Sequence, residues 1–67
     1  MNSYRVETIG DIYGKSIKCV SANTPYDAAE KGMNHMPWRH KEDVKIQTVM
    51  ILDGTKQTWT FQNNNCN

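Results

Sequence analysis

The sequence predicts an α+β domain, in which a four-stranded antiparallel sheet carries one helix on one face. Three observations indicate this fold. Apolar and polar residues alternate over residues 4–12, which is typical of a strand with one covered face. Thr24-Pro25 opens a helical segment, and Asp53-Gly54 joins two segments rich in β-branched and aromatic residues. Antiparallel pairing of neighbours then predicts the element order β-β-α-β-β, with the strands, numbered along the chain, in the order 2-1-3-4.

The first hairpin is predicted from residues 4–12 and from a second strand at residues 16–22. The side chains expected on its helix-covered side are Tyr4, Val6, Thr8, Gly10 and Ile12. Gly14-Lys15 favours a two-residue turn that begins with glycine, and this turn pairs Ile9 with Val20. Both of these side chains are therefore expected on the uncovered side of the sheet.

The helix is predicted to begin after Thr24 and to end near Met36. Thr24 is a favourable N-cap, Pro25 suits the first helical position, and Pro37 cannot continue the helix. Gly32 either weakens the helix or lets it approach a strand closely. The apolar stripe expected to face the sheet consists of Tyr26, Ala29, Met33 and Met36.

The second hairpin is predicted from residues 44–52 and 55–62, with a two-residue turn at Asp53-Gly54 between them. In this register Val49 and Ile51 are expected on the uncovered face of the sheet. The side chains assigned to the helix-covered face are Val44, Ile46, Met50, Trp59 and Phe61.

The composition predicts one globular domain, residues 1–62, followed by a flexible polar tail, residues 63–67. The chain has 67 residues, of which 37% are hydrophobic and 22% are charged, and its net charge is +1. A chain of this length supports a single small core. No signal-peptide pattern opens the sequence, and no apolar run reaches the roughly 18 residues of a membrane span. We therefore expect a soluble, cytoplasmic protein without membrane contact.

No catalytic site, cofactor or metal is predicted. The sequence contains no nucleophile elbow, no phosphate-binding glycine loop and no zinc-protease helix motif. Glu42-Asp43 is interpreted as part of a solvated, charged connector, because adjacent carboxylates point in different directions. Both cysteines are expected to be reduced. Four potential zinc ligands lack the short paired spacing of structural sites: Cys19, His35, His40 and Cys66.

Two surfaces are candidates for binding a partner. The first is the uncovered sheet face, and its candidate residues are Ile9, Val20, Lys45, Val49 and Ile51. The second is the helix exit, where Trp38 and Arg39 belong to residue types that are frequent in binding hot spots. Alternative interpretations stay open for both surfaces: ordinary strand propensity for the first, and closure of the core by Trp38 for the second.

The segment Ala22-Asn23-Thr24-Pro25-Tyr26-Asp27-Ala28-Ala29 follows a predicted hairpin and precedes a third strand. It resembles a pattern found in small bacteriophage-encoded host-modulating proteins, among them the short phage inhibitors of bacterial RNA polymerase. The resemblance is one of layout and covers residues 4–49. It implies a role in modulating a host or phage macromolecule, with RNA polymerase as one potential partner.

We therefore expect a non-enzymatic protein-binding module that acts as a phage-type inhibitor or modulator. Two alternatives stay open. A homo-oligomeric structural component, with a homodimer as its simplest form, would pair the free edge strands of two copies. A nucleic-acid-binding protein would stack bases on Tyr13, Trp38 and Trp59. Its phosphate contacts would be Lys15, Lys18, Arg39, Lys41 and Lys56.

Overall fold

The structure, a computed structural model, describes residues 1–62, so the predicted tail at residues 63–67 lies outside the described residues. Its elements are β1 (Asn2–Gly10), β2 (Lys15–Ala22), α1 (Pro25–Asn34), α2 (Trp38–Asp43), β3 (Val44–Ile51) and β4 (Thr58–Gln62). All strand pairs are antiparallel, and the sheet order is β2-β1-β3-β4. The predicted fold class and strand order are confirmed. The helix α2 is an additional element that the sequence interpretation missed.

β1 lies in the middle of the fold and pairs with both β2 and β3. Buried and more exposed residues alternate along β1 as predicted: Tyr4, Val6 and Thr8 are buried on the helix-covered side. Arg5 and Glu7 lie between them and point to the opposite face.

The register of the first hairpin differs from the prediction. Tyr4 lies opposite Val20, and Ile9 lies opposite Lys15. Because residues that face each other across antiparallel strands share one side of the sheet, Val20 lies on the helix-covered side with Tyr4. The predicted pairing of Ile9 with Val20 is therefore wrong.

The β1–β2 loop spans residues 11–14 and is longer than the predicted two-residue turn. The Gly10 N–H donates to the Gly14 carbonyl oxygen at 2.8 Å, and Gly14 has φ +74°, which favours glycine. Ile12, expected on the covered face, lies in this loop and is 79% exposed. The loop adopts this form because the Asp43 carboxylate accepts hydrogen bonds from its backbone, a contact that the local sequence does not reveal.

α1 begins where the sequence predicts. The Thr24 side chain accepts a hydrogen bond from the Asp27 backbone N–H at 3.1 Å, and Pro25 is the first helical residue. The helix ends at Asn34, two residues before the predicted end. Its buried face is formed by small residues, Ala28, Ala29 and Gly32.

Gly32 sets the distance between α1 and β1. A Cβ atom at this position would lie 2.8 Å from Cγ1 of Val6, so the helix packs directly on the strand. The close approach that the sequence suggested for Gly32 is confirmed. The predicted stripe is only partly correct: Ala29 is buried, Met33 is half-buried and Tyr26 is 61% exposed.

α2 forms where the sequence interpretation expected a charged connector. It has six residues, and Pro37 precedes it without a side-chain capping bond. The Lys41 N–H donates to the Pro37 carbonyl oxygen at 3.1 Å. A single polar helical turn has too little hydrophobic periodicity to be distinguished from a connector in the sequence. β3 begins directly after Asp43, so no loop separates α2 from the sheet.

The register of β3 and β4 is one residue away from the prediction: Val49 lies opposite Trp59, and Met50 opposite Thr58. The β3–β4 connection is not a two-residue turn. The Ile51 N–H donates to the Gln57 carbonyl oxygen at 3.0 Å and closes a loop of residues 52–57.

The changed register exchanges the two faces of β3, because side chains alternate along a strand. Val49 is fully buried and Ile51 is 8% exposed, so both belong to the core and their predicted place on the uncovered face is wrong. Met50, predicted under the helix, lies opposite Arg5 on the uncovered face. β4 keeps its predicted orientation, with Trp59 and Phe61 packed against the core.

The core lies between the sheet and α1, which packs across β1, β2 and β3. It consists of Tyr4, Val6, Ala22, Ala28, Ala29, Val49 and Ile51. Neither α1 nor α2 has the length and apolar character that a bilayer-spanning helix needs.

Candidate protein-binding site

The β1–β2 loop and α2 meet at one end of the sheet and form an open notch of about 580 Å³, which we call the Trp38 corner. Three large side chains of this notch are exposed: Ile12 by 79%, Trp38 by 64% and Tyr13 by 47%. Its charged residues are Asp11, Arg39, Glu42, Asp43 and Lys45. Exposed apolar side chains are ordinary when scattered singly, so their concentration in one notch marks a candidate binding site.

Asp43 holds the β1–β2 loop against the junction of α2 and β3. Its carboxylate accepts hydrogen bonds from the Ile12 N–H at 3.0 Å and from the Tyr13 N–H at 2.9 Å. Asp43 is 9% exposed. Gly10 makes this approach possible, because a Cβ atom there would overlap the Asp43 carboxylate. The positions of Ile12 and Tyr13 are thus tied to α2 by a buried, charge-assisted contact.

The pKa of Asp43 lies below its usual value of 3.8, chiefly because the carboxylate accepts the hydrogen bond from the Tyr13 N–H. Desolvation acts in the opposite direction. The N–H groups of Ile12 and Asp11 and the charge of Lys45 lower the pKa further. Asp43 is therefore charged at neutral pH, the form in which it accepts these bonds most strongly.

Ring contacts order the side chains of the corner. The Tyr13 and His40 rings are stacked, with their centroids 3.8 Å apart and an interplanar angle of 29°. The guanidinium carbon of Arg39 lies 5.5 Å from the centroid of the Trp38 ring, within cation–π range. Two of the three exposed large side chains therefore have a neighbour that favours one orientation.

Lys45, predicted as part of the sheet surface, belongs to the Trp38 corner. β1 and β3 shift register between Ile9, which pairs with Ile46, and Gly10, which pairs with Val44, so Lys45 is the extra residue of a bulge. Its Nζ lies 3.9 Å from Oδ2 of Asp11 in the β1–β2 loop. The structure thus brings Lys45 together with the predicted residues Trp38 and Arg39.

The other predicted binding residues do not form the expected surface. Val49 and Ile51 are core residues and Val20 packs against the core, so none of the three can contact a partner on the uncovered face. Ile9 does lie on that face and is 38% exposed. The hypothesis of a four-residue apolar patch is therefore wrong, and so is the interpretation that Trp38 closes the core.

The uncovered face carries a mixture of charged and apolar side chains. Glu7 lies on it, with Lys15 Nζ at 3.7 Å and Arg5 Nη2 at 4.0 Å from Glu7 Oε2. Ile9 and Ile17 are exposed beside this charged group. A partner would have to cover ion pairs together with the isoleucines, which makes this face a weaker docking surface than the Trp38 corner.

Sequence reasoning missed Asp43 and Ile12 as site residues, and it named Tyr13 only for base stacking in the nucleic-acid alternative. The sequence does contain a signal for Ile12 and Tyr13, because these two large side chains stand between Gly10 and Gly14, directly before the predicted Gly14-Lys15 turn. No local pattern distinguishes Asp43 from a solvated acid, since its partners lie 30 and 31 residues away.

Of the residues named for the nucleic-acid alternative, Tyr13, Trp38 and Arg39 line the Trp38 corner, but Trp59, Lys18 and Lys56 lie elsewhere. Trp59 packs against Tyr4 with a centroid separation of 6.4 Å and is a partly buried neighbour of the core. Lys18 lies on the helix-covered side of β2, and Lys56 lies in the β3–β4 loop. Stacking and phosphate contacts along one strand of nucleic acid require a continuous groove, which these positions do not form.

Within residues 1–62, no group of three or more His, Cys, Asp or Glu side chains could hold a metal ion. Cys19 is a free, exposed thiol on β2, whereas Cys66 lies outside the described residues.

Comparison of the chain with protein-family models, with curated proteins and with solved structures finds no match. The candidate site is therefore interpreted from its own geometry.

Proposed function

We propose that this chain is a non-enzymatic protein-binding module that docks through the Trp38 corner. One observation carries the proposal: Ile12, Tyr13 and Trp38 are all exposed around one notch, while the buried Asp43 carboxylate holds the loop that presents two of them.

The chemistry of the notch suits a protein partner. Trp, Tyr and Arg are the residue types most enriched in binding hot spots, and here they lie beside an isoleucine that is 79% exposed. Charges of both signs, from Asp11, Arg39, Glu42 and Lys45, surround the apolar centre. This arrangement resembles an apolar interface core with a polar rim.

Pre-organisation of the loop supports the same proposal. Ordering a flexible surface on binding costs about 0.5–1.5 kcal/mol per immobilised side chain. Asp43 anchors Ile12 and Tyr13 through their backbone, and His40 stacks on the Tyr13 ring. Part of this cost is therefore met during folding. A role as a phage-type modulator, with RNA polymerase as a potential target, stays a prediction from the resemblance in layout.

Capture of partners on the immobilised protein tests the proposal. The variants Trp38→Ala and Ile12→Ser remove exposed apolar side chains and should leave the fold intact. The matched control is Leu52→Ser, because Leu52 is 46% exposed at the opposite end of β3. We expect the wild type and the control to retain the same protein. Each corner variant should bind that protein at least tenfold more weakly, which corresponds to a loss of about 1.4 kcal/mol in binding free energy.

Circular dichroism of each variant shows whether it is folded. Equal retention by the wild type and both corner variants would contradict docking through the corner. Recovery of nucleic acid alone, lost on treatment with nuclease and at high salt, would instead favour the nucleic-acid alternative.

A further inference from the structure

The free edge of β4 is a second surface, independent of the Trp38 corner. β4 has five residues and, within residues 1–62, pairs only with β3. The bond from the Ile51 N–H to the Gln57 carbonyl oxygen marks these two residues as a hydrogen-bonded pair of the β3–β4 ladder. Such pairs alternate along antiparallel strands, so the backbone groups of Trp59 and Phe61 point to β3. The backbone groups that point to the free edge are those of Thr58, Thr60 and Gln62.

The two edges of the sheet differ in their protection against pairing. On β2, Lys18 lies opposite Val6 and therefore points to the helix-covered side of an edge strand, where its charge opposes the addition of another strand. Lys15 adds a second charge to β2. β4 contains no charged residue and no proline. Among the residues that the structure describes, the β4 edge therefore lacks the charges and proline that oppose pairing, whereas the β2 edge carries two lysines.

The aromatic side of β4 is incompletely covered. α1 packs across β1, β2 and β3 and leaves an open groove beside β4, lined by Tyr26, Met33 and Phe61. The Tyr26 and Phe61 rings lie edge to face, with their centroids 6.1 Å apart, but Tyr26 is itself 61% exposed. Trp59 and Phe61 are only partly buried. Both rings would lose further water-exposed surface if another strand lay alongside β4.

We propose that a second copy of this chain occupies this edge, with the two β4 strands paired antiparallel about a two-fold axis at Thr60. Thr60 then lies opposite Thr60 of the second copy, and Trp59 lies opposite Phe61 of the second copy. Both are favourable cross-strand pairs. The outward backbone groups of the two strands meet and form about six inter-chain hydrogen bonds.

The sequence of β4 is self-complementary in this register. The aromatic pairs all lie on the helix-covered side, and the threonine and glutamine side chains all lie on the uncovered side. Five-residue strands bury less than the roughly 1,200 Å² of a standard stable interface. The dimer is therefore weak and reversible, and its population depends on the protein concentration.

Sedimentation equilibrium between about 5 and 500 µM tests the proposal. The mass should rise from 7.7 kDa towards twice that value with concentration. Thr60→Pro should remain monomeric, because it removes an N–H that points to the free edge and not to β3. The matched control is Ile17→Pro on β2, where the N–H also points outward, and this variant should dimerise like the wild type. A mass of 7.7 kDa for the wild type at every concentration, or dimer loss in Ile17→Pro but not in Thr60→Pro, would overturn the proposal.

Amide hydrogen exchange tests the proposal on the wild type alone, so it does not depend on whether a variant folds. The amides of Thr58, Thr60 and Gln62 should exchange at least about fivefold more slowly at 500 µM than at 5 µM, whereas those of Ile17 and Cys19 should not change. Unchanged exchange at β4, or slowing at β2 instead, would overturn the proposal. Both tests use the isolated chain, so their failure is distinguishable from failure of partner capture by the Trp38 corner.

Discussion

At the scale of single residues, Asp43 holds the β1–β2 loop against the junction of α2 and β3, beside the Tyr13–His40 ring stack and the Lys45–Asp11 ion pair. Its carboxylate accepts N–H groups from Ile12 and Tyr13 while its backbone ends α2. Oδ2 accepts from both N–H groups, and Oδ1 also accepts from the Ile12 N–H, so an amide would leave one acceptor oxygen for both donors and would turn an N–H₂ group towards the Ile12 N–H. The charge of this residue, and not only its shape, is therefore expected to stabilise the fold.

We predict that Asp43→Asn lowers the free energy of unfolding at pH 7 and that the difference from the wild type vanishes in acid. The pKa of Asp43 is lowered in the folded state, chiefly by the Tyr13 N–H. A group of this kind contributes stability above its unfolded pKa, near 3.8, and loses that contribution as the pH falls through the lowered folded value. Urea denaturation of both proteins from pH 7 to pH 2 measures the difference.

The matched control is Glu42→Gln, which removes the neighbouring negative charge from an exposed position. It should change the free energy of unfolding by no more than about 0.5 kcal/mol. If Asp43→Asn were as much less stable than the wild type at pH 2 as at pH 7, the shape of the side chain and not its charge would be responsible.

Gly32 is the second residue whose identity is set by a distant contact. We predict that Gly32→Ala destabilises the protein by about 1–2 kcal/mol, although alanine favours the helix itself by about 1 kcal/mol. The new Cβ would lie 2.8 Å from Cγ1 and 3.2 Å from Cβ of Val6, a branched side chain in the core that cannot turn away. Chemical denaturation of the variant measures the cost.

A double-mutant cycle with Val6→Ala isolates this contact. Val6→Ala alone should be destabilising, but the double variant should lose less stability than the sum of the two single changes, because the clash is absent. If the two losses of stability simply added, contact with Val6 would not be the reason why alanine is unfavourable at position 32.

At the scale of elements, the register of β3 decides which side chains form the core. Neighbouring residues of this strand differ sharply: Val49 is fully buried beneath α1, whereas Thr48 lies opposite Glu7 on the uncovered face. The strand pattern VKIQTVMI is apolar on both faces, so it does not by itself distinguish one register from the other. The pairing of β3 with β1 makes the choice, because Val49 lies opposite the buried residue Val6.

We predict that Val49→Lys unfolds the protein or costs more than about 3 kcal/mol, because it buries an unpaired charge. Thr48→Lys should stay within about 1 kcal/mol of the wild type, since its ammonium group reaches solvent and lies across from Glu7. Thermal denaturation of the two variants compares adjacent positions. The opposite order of stability would contradict the assignment of Val49 to the core and of Thr48 to the uncovered face.

The two helices show which elements local sequence can predict. α1 carries its own signals, a capping Thr24 and Pro25 at its first position, and it begins where they indicate. α2 has neither a capping side chain nor an acidic first turn. It is placed by its neighbours, because Asp43 at its end binds the β1–β2 loop.

At the scale of the whole molecule, one small core supports the sheet, α1 and the Trp38 corner. We predict a single cooperative unfolding transition with a free energy of about 3–10 kcal/mol, from typical values per residue for a chain of 67 residues. The hydrogen bond from the Tyr13 N–H to the Asp43 carboxylate should be lost in the same transition, because Asp43 directly precedes Val44, a buried residue of β3. Far-ultraviolet circular dichroism and the exchange rate of the Tyr13 amide, followed against urea, measure the two events.

We expect the circular dichroism signal and the protection of the Tyr13 amide to be lost at the same urea concentration. An earlier loss of protection at Tyr13 would show that the corner opens locally while the sheet remains intact. The corner would then not be pre-organised, and the low ordering cost assumed for partner binding would not apply.

The sequence by itself determined the α+β class, the strand order, the start of α1 and the covered side of β1 and β4. These features depend on signals within a few residues of each other: alternation, a capping threonine and proline. Tertiary structure decided the registers of both hairpins, the formation of α2 and the assembly of the Trp38 corner. The physical reason is that loop length and strand register depend on contacts such as those of Asp43 with Tyr13 and of Gly32 with Val6, whose partners lie far apart in the chain.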